Sequence, residues 1–327
     1  MKALLFSIAL GVMLPFLSPK NAPVTSVSFQ LIRNLILVKG SVDGREGLFI
    51  LDTGASDMIL NSRIFKGKPT EKKFYGIHGN EIENEIKYIE FNLEGFEKNI
   101  VAHVADFTAL EKITGLQLFG VIGNSLFKYC EIVLDYTFKE VTIYQLDKDG
   151  NRLSSKSIHQ KPQATIPTFV GRGFPIIIVD ANGKQLKMIL DTGASANVMD
   201  SRQINHLNSD LLRARADSIT SFGQDLVPVK SLKVNELKIG DLPCPSMKTL
   251  FVPLNQLNKN QWGISVDGIL GYEFLSNFRV AINFRKREIY LWDRESVELQ
   301  WAVANKNLRN NKVNRPNWEG DLNRFDN

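Results

Sequence analysis

The hexapeptide Leu-Asp-Thr-Gly-Ala-Ser stands at Leu51–Ser56 and again, unchanged, at Leu190–Ser195. Even its five-letter core is expected by chance in fewer than about one in a thousand chains of this length. Two copies are therefore a duplication. The two acids lie 139 residues apart (191 − 52 = 139). A second shared pattern follows each copy. Gly120-Val121-Ile122-Gly123 leads through Leu126-Phe127 to Ile132-Val133-Leu134-Asp135. Gly268-Ile269-Leu270-Gly271 leads through Phe274-Leu275 to Val280-Ala281-Ile282-Asn283. Here the offset is 148 (268 − 120 = 148), so the second half carries about nine extra residues inside the repeat.

Each half reads mainly as strands. Leu35–Val38 turns at Gly44 into Leu48–Leu51, and Ile176–Val179 turns at Asn182-Gly183 into Met188–Leu190; Asn-Gly between apolar runs is a hairpin signal. Strands are expected at Lys87–Leu93, Asn99–Val104, Leu232–Ile239 and Thr249–Val252, with Glu140–Tyr144 and Glu288–Trp292 closing the halves. Short helices are expected at Thr108–Thr114, Asn124–Tyr129, Ser201–Arg213 and Tyr272–Asn277. The domain reading is a leader at 1–22, a first lobe at 23–146, a polar linker at 147–165, a second lobe at 166–298 and a polar tail at 299–327 that is expected to be loosely ordered.

Composition narrows the function. The net charge of +5 in 327 residues reads as a solvated basic surface, and Arg285-Lys286-Arg287 as a solvated hairpin turn, so no nucleic-acid partner is expected. The four histidines, His78, His103, His159 and His206, have no zinc spacing, and Cys130 and Cys244 stand in unrelated surroundings. No metal or other cofactor is expected, and the cysteines are read as free buried thiols. Lys2 followed by the apolar run Ala3–Leu17 has the pattern of an export signal, which places the protein in the periplasm or outside the cell; a retained membrane anchor is the alternative.

An apolar strand that ends on an acid needs a purpose or a partner for it. Two halves related by a pseudo-twofold axis would bring Asp52 and Asp191 face to face, where close carboxylates share one proton and supply an acid and a base together. Neither Gly-x-Ser-x-Gly nor His-Glu-x-x-His occurs in the sequence.

Paired Asp-Thr-Gly-Ala-Ser motifs, each answered by apolar-apolar-Gly at Val121–Gly123 and Ile269–Gly271, resemble the aspartic peptidases of the retropepsin and pepsin type over about 260 residues. The resemblance implies an all-β, bilobal, pepsin-like acid protease fold of two retropepsin-like closed β-barrel lobes about a pseudo-twofold axis. It implies an aspartic endopeptidase with Asp52 and Asp191 as catalytic dyad, and Thr53, Gly54, Thr192 and Gly193 supporting it. Flap tips that cover the substrate match Tyr75, Gly76, Ile77, His78 and Gly79 in the first half and Phe222 and Gly223 in the second. The compact lobes, and the short stretch before the first strand, fit a bacterial, exported, tandem form without an inhibitory prosegment. The partner is then a peptide or protein substrate, and the enzyme a monomer with intramolecular lobe pairing. Ala55 and Ala194 stand where many pepsins carry a hydroxyl donor, so the dyad should be less acidic and the activity optimum mildly acidic to neutral. The competing reading is a catalytically silent peptide-binding module on the same fold.

Overall fold

The computed structural model describes residues 22–70, 74–75, 81–82, 85–154, 161–171, 174–207, 215–219, 227–254, 265–294 and 297. The fold is all-β, with two barrel-like lobes. In the first lobe, strands Leu35–Val42, Arg45–Leu51, Gly120–Ile122, Ile59–Asn61, Phe96–Ala105 and Glu85–Leu93 pair in that order. Pairing of Ser41 with Asn92 and of Val42 with Phe91 then returns the sheet to its first strand and closes it. Closure leaves these strands without free edges and gathers their inward residues into one core. Phe49, Phe91 and Phe96 are fully buried there, with Phe49 edge-on to Phe91 at 5.4 Å between ring centres.

The second lobe repeats the plan at the offsets read from the sequence. Leu35–Val42 and Arg45–Leu51 become Phe174–Ala181 and Lys184–Leu190, each 139 residues later. Gly120–Ile122 becomes Gly268–Leu270, 148 residues later. The expected strand Leu232–Ile239 is divided. Val227–Val234 and Leu237–Ile239 are separate strands, because Glu236 takes a left-handed φ of 59° that a strand cannot carry. The second piece still pairs with Phe174–Ala181, through Asp180 and Lys238, where the first lobe has Ser41 and Asn92.

A third sheet joins the lobes. Its order is Val24–Ser28, Glu140–Gln145, Cys130–Asp135, Phe278–Asn283, Glu288–Asp293 and Ala164–Pro167. Three strands come from each half, and the central pair, Cys130–Asp135 with Phe278–Asn283, is antiparallel. The central seam is locked by polar pairs at both ends. Arg279 Nε donates to Asp135 Oδ2 at 2.6 Å, and Asn283 Nδ2 donates to Glu131 Oε2 at 2.9 Å. Strand Ala164–Pro167 begins inside the stretch read as linker, and Leu146 bridges to Arg152 at its start.

Helix Thr108–Thr114 lies where expected and ends at Gly115 in the left-handed conformation. The other short helices are trimmed to Asn124–Phe127, Ser201–His206 and Tyr272–Leu275. Cys130 and Cys244 are free and buried, and burial pushes their thiols up to about 11 and about 12. The leader up to Asn21 and the tail from residue 298 lie outside the described residues.

Candidate active site

Each hexapeptide begins as the last rung of a ladder. Strand Arg45–Leu51 runs parallel to Gly120–Ile122, and the Asp52 amide makes one further bond, to Ile122 O at 3.0 Å. Strand Lys184–Leu190 runs parallel to Gly268–Leu270, and the Asp191 amide bonds Leu270 O at 3.0 Å. Both chains then turn sharply at Thr-Gly, and the two turns meet.

The meeting is fixed by a reciprocal exchange. The Thr53 amide donates to Thr192 Oγ1 at 3.0 Å, and the Thr192 amide donates to Thr53 Oγ1 at 3.0 Å. Each hydroxyl then donates onward into the opposite lobe, Thr53 to Leu190 O at 2.8 Å and Thr192 to Leu51 O at 2.7 Å. Both threonines are buried, so these four groups have no water to fall back on.

The carboxyl groups of Asp52 and Asp191 meet above this lock, where one backbone amide bonds both. The Gly54 amide donates to Asp52 Oδ1 at 2.7 Å and to Asp191 Oδ1 at 3.1 Å, while the Gly193 amide donates to Asp191 Oδ1 at 2.7 Å. The glycines are required for this approach. A Cβ on Gly54 would stand 2.6 Å from Asp191 Oδ1, and one on Gly193 would stand 2.6 Å from both oxygens of Asp52. The two acids remain half-buried, recessed but open to the surface.

Electrostatics separates the acids. Loss of solvent and the facing charge of Asp191 hold Asp52 well above the usual carboxylate range. Desolvation also raises Asp191, but hydrogen bonds from Asp52 and from the Gly193 and Gly54 amides oppose the rise. Burial and mutual repulsion thus favour one proton held by the pair over two ionised carboxylates.

The apolar-apolar-Gly segments buttress both turns. A Cβ on Gly123 would lie 2.8 Å from Ala55 O, and one on Gly271 would lie 2.5 Å from Ala194 O. The next residue closes the contact in each lobe: the Asn124 amide donates to Ala55 O and the Tyr272 amide to Ala194 O, both at 2.9 Å.

Several supporting residues escape the repeat because each occurs in one half alone. Asn124 Nδ2 donates to Thr53 O at 2.5 Å, but its counterpart is Tyr272. Asn197 Oδ1 accepts from the Gly271 amide at 2.9 Å, but its counterpart is Met58. Asn34, at a left-handed turn position, reaches across to Ser195 O at 3.1 Å. Tyr136 packs edge-on to Phe29 and Tyr272, with its buried hydroxyl close enough to Asp191 to be held protonated by that charge as well as by burial. Asn124 alone had a sequence signal, its place directly after Val121-Ile122-Gly123.

Of the flap residues, Tyr75 lies in strand Phe74–Tyr75, which pairs with Glu81–Ile82. Gly76, Ile77, His78, Gly79, Phe222 and Gly223 lie outside the described residues. Strands Arg215–Ile219 and Val227–Val234 pair with each other on either side of the second of these segments.

Residues 177–274 match the family model described as aspartyl protease. The matched stretch contains the second hexapeptide and its buttress, and its likeness supports a retropepsin-like aspartyl protease. No curated protein matches the chain significantly.

Proposed function

We propose that the chain is an aspartic endopeptidase that hydrolyses peptide bonds with a water activated between Asp52 and Asp191. The observation that carries this reading is the threonine exchange, which holds the two turns together with the Gly54 amide bonded to both carboxyls. The family match of the second lobe supports it.

The chemistry follows from a pair that holds one proton, taken to start on Asp52. Asp191, ionised, takes a proton from the water as its oxygen attacks the substrate carbonyl. Asp52 gives its proton to the carbonyl oxygen, so no bare oxyanion builds up. The resulting tetrahedral diol collapses when the proton on Asp191 passes to the amide nitrogen and Asp52 takes back a proton from one diol hydroxyl; the C–N bond breaks, acid and amine leave, and the starting protonation returns. Thr53 and Thr192 keep the two turns together, and the Gly54 and Gly193 amides bond the carboxylate of Asp191. An extended peptide in the cleft between the lobes is recognised largely through its main chain. Tyr75, Gly76, Ile77, His78 and Gly79 on one side, with Phe222 and Gly223 on the other, are the proposed covers. The working form is a monomer whose own lobes complete the site, acting in an exported location.

Incubation of the purified protein with a peptide library, with and without a pepstatin-like transition-state mimic, tests the reading. Cleavage at internal bonds that the mimic suppresses is expected. No cleavage, or cleavage indifferent to the mimic, contradicts it.

A further inference from the structure

The duplicated lobe supplies a control for its own surface. Strands Cys130–Asp135 and Phe278–Asn283 are equivalent at the 148 offset, and each runs into a turn ending on a left-handed residue, Lys139 (φ 51°) or Arg287 (φ 58°). Each turn packs on the short helix of the opposite lobe, Tyr136 edge-on to Tyr272 at 5.9 Å and Phe284 stacked on Phe127 at 6.3 Å. The two ends of the shared sheet are thus related by the pseudo-twofold axis. One end carries Thr137, Phe138, Lys139, Ser276 and Asn277. The matching positions at the other end are Arg285, Lys286, Arg287, Lys128 and Tyr129. Four cations face one.

The basic end is also where the chain enters the fold. Gln145 Nε2 donates to Ala22 O at 3.0 Å and the Gln145 amide to Pro23 O at 2.9 Å. The neighbouring Leu146 amide donates to Tyr129 O at 3.1 Å, and the Leu153 amide to Gln145 O at 2.9 Å. Tyr129 is 54% exposed and Leu153 57%. Cations flank Tyr129. Lys128 Nζ and the Arg285 guanidinium lie 5.4 and 5.5 Å from the centre of the Tyr129 ring, and Arg285 Nε holds Lys148 O at 2.7 Å. Lys286 lies against Gly150 in the same turn. The carboxylates here are Asp147, Asp149, Glu131 and Glu288, the last accepting from the Tyr290 hydroxyl. Glu131 is buried and paired with Arg152, and Asp147 is occupied by the amides of Asp149 and Asn151. Lys128, Lys148, Arg285, Lys286 and Arg287 against Asp147, Asp149 and Glu288 leave a net charge of +2 (5 − 3).

We propose that this end of the shared sheet is a membrane-facing surface that docks on an anionic phospholipid bilayer. An exposed aromatic and an exposed leucine among lysines and arginines is the composition of a bilayer interface. The apolar run Ala3–Leu17 joins the fold at Ala22 on the same end, five residues on. With the run retained as the anchor, the alternative to a cleaved export signal, those five residues span at most about 17 Å, so the bilayer that holds it comes within reach of this end of the sheet. That continuity, with the apolar pair, selects lipid over nucleic acid as the polyanion. The surface is independent of the Asp52–Asp191 chemistry.

Sedimentation of the full chain with vesicles tests it, comparing pure phosphatidylcholine with phosphatidylcholine holding about 30% phosphatidylglycerol at about 0.1 M salt, where charges act over about 10 Å. The ratio of the two partition coefficients is the reading, because the apolar run contributes to both. A preference for anionic vesicles of about tenfold or more is expected, fading at high salt, with about fivefold lost per cation removed. The combined substitution K128E, K148E and K286E should abolish the preference, and Lys139→Glu, at the twofold-related end, should leave it intact. The corresponding Lys→Gln set carries the same test if the acidic variant does not fold. Equal partition into both vesicles, a preference that survives both triple variants, or stronger retention on transfer RNA than on anionic vesicles would overturn the proposal.

Discussion

Thr53 and Thr192 satisfy each other. Each amide donates to the other's hydroxyl at 3.0 Å, and each hydroxyl donates a hydrogen bond to a carbonyl of the opposite lobe. Neither lobe can complete its own active-site turn, so the pairing of the lobes and the placing of the carboxyls are one structural event.

Thr53→Val should therefore cost more than a surface change. It strands the Thr192 amide and the Leu190 carbonyl in a buried place, at about 1–3 kcal/mol for each group left unsatisfied. Thr53→Ser keeps the hydroxyl and should recover most of the loss. Chemical denaturation of the three proteins measures this; equal midpoints for the valine and wild-type chains would contradict it.

Gly54→Ala and Gly193→Ala put a methyl group against the carboxyl of the opposite lobe. Both should fall in kcat by at least a hundredfold, through displacement of reacting groups that need sub-ångström placement. Peptide cleavage under saturating substrate is the measurement, and near-normal turnover in either variant would mean the glycines are not holding the carboxyls.

The acidities set two pH dependences. For activity one acid must be protonated and the other ionised, and with both raised by burial the bell should peak at mildly acidic to neutral pH. Ala55→Ser, which restores a hydroxyl beside Asp52, should move the peak downward; a wild-type maximum below about pH 3 would refute the assignment. Stability has the opposite slope from that of a salt-bridged acid. A carboxyl whose folded-state value is raised favours the protonated form, so its contribution is full below the unfolded value and is lost as pH rises through the folded one. Asp52→Asn should consequently raise the melting temperature at neutral pH while leaving it unchanged in acid.

The seam between the lobes can be tested apart from the site. Arg279 and Asp135 are 11% and 10% exposed, and Arg279→Met leaves Asp135 uncompensated in the shared sheet. A loss of about 3 kcal/mol or more is expected in denaturant unfolding, against almost none for Arg63→Met, whose guanidinium is mostly in solvent.

The repeat made the strands and the acid pair legible because both halves must obey the same geometry: ladder, sharp turn, glycine buttress. Where the halves diverged, sequence alone was blind. The break at Asn235-Glu236 depends on one left-handed residue inside an otherwise continuous β pattern. Asn34, Asn197 and Tyr136 matter through contacts with the other lobe or with distant strands, and no local period marks such contacts. The basic turn Arg285–Arg287 read as ordinary solvated surface until the fold placed Lys128, Tyr129 and the entering chain beside it.

The central claim is that Asp52 and Asp191 act as one unit. Single-turnover cleavage of one good peptide by D52N, D191N and the double variant measures this directly. The account predicts that each single change costs on the order of a thousandfold or more and that the double variant is no slower than either. A single variant that keeps substantial turnover, or losses that multiply in the double, would contradict it.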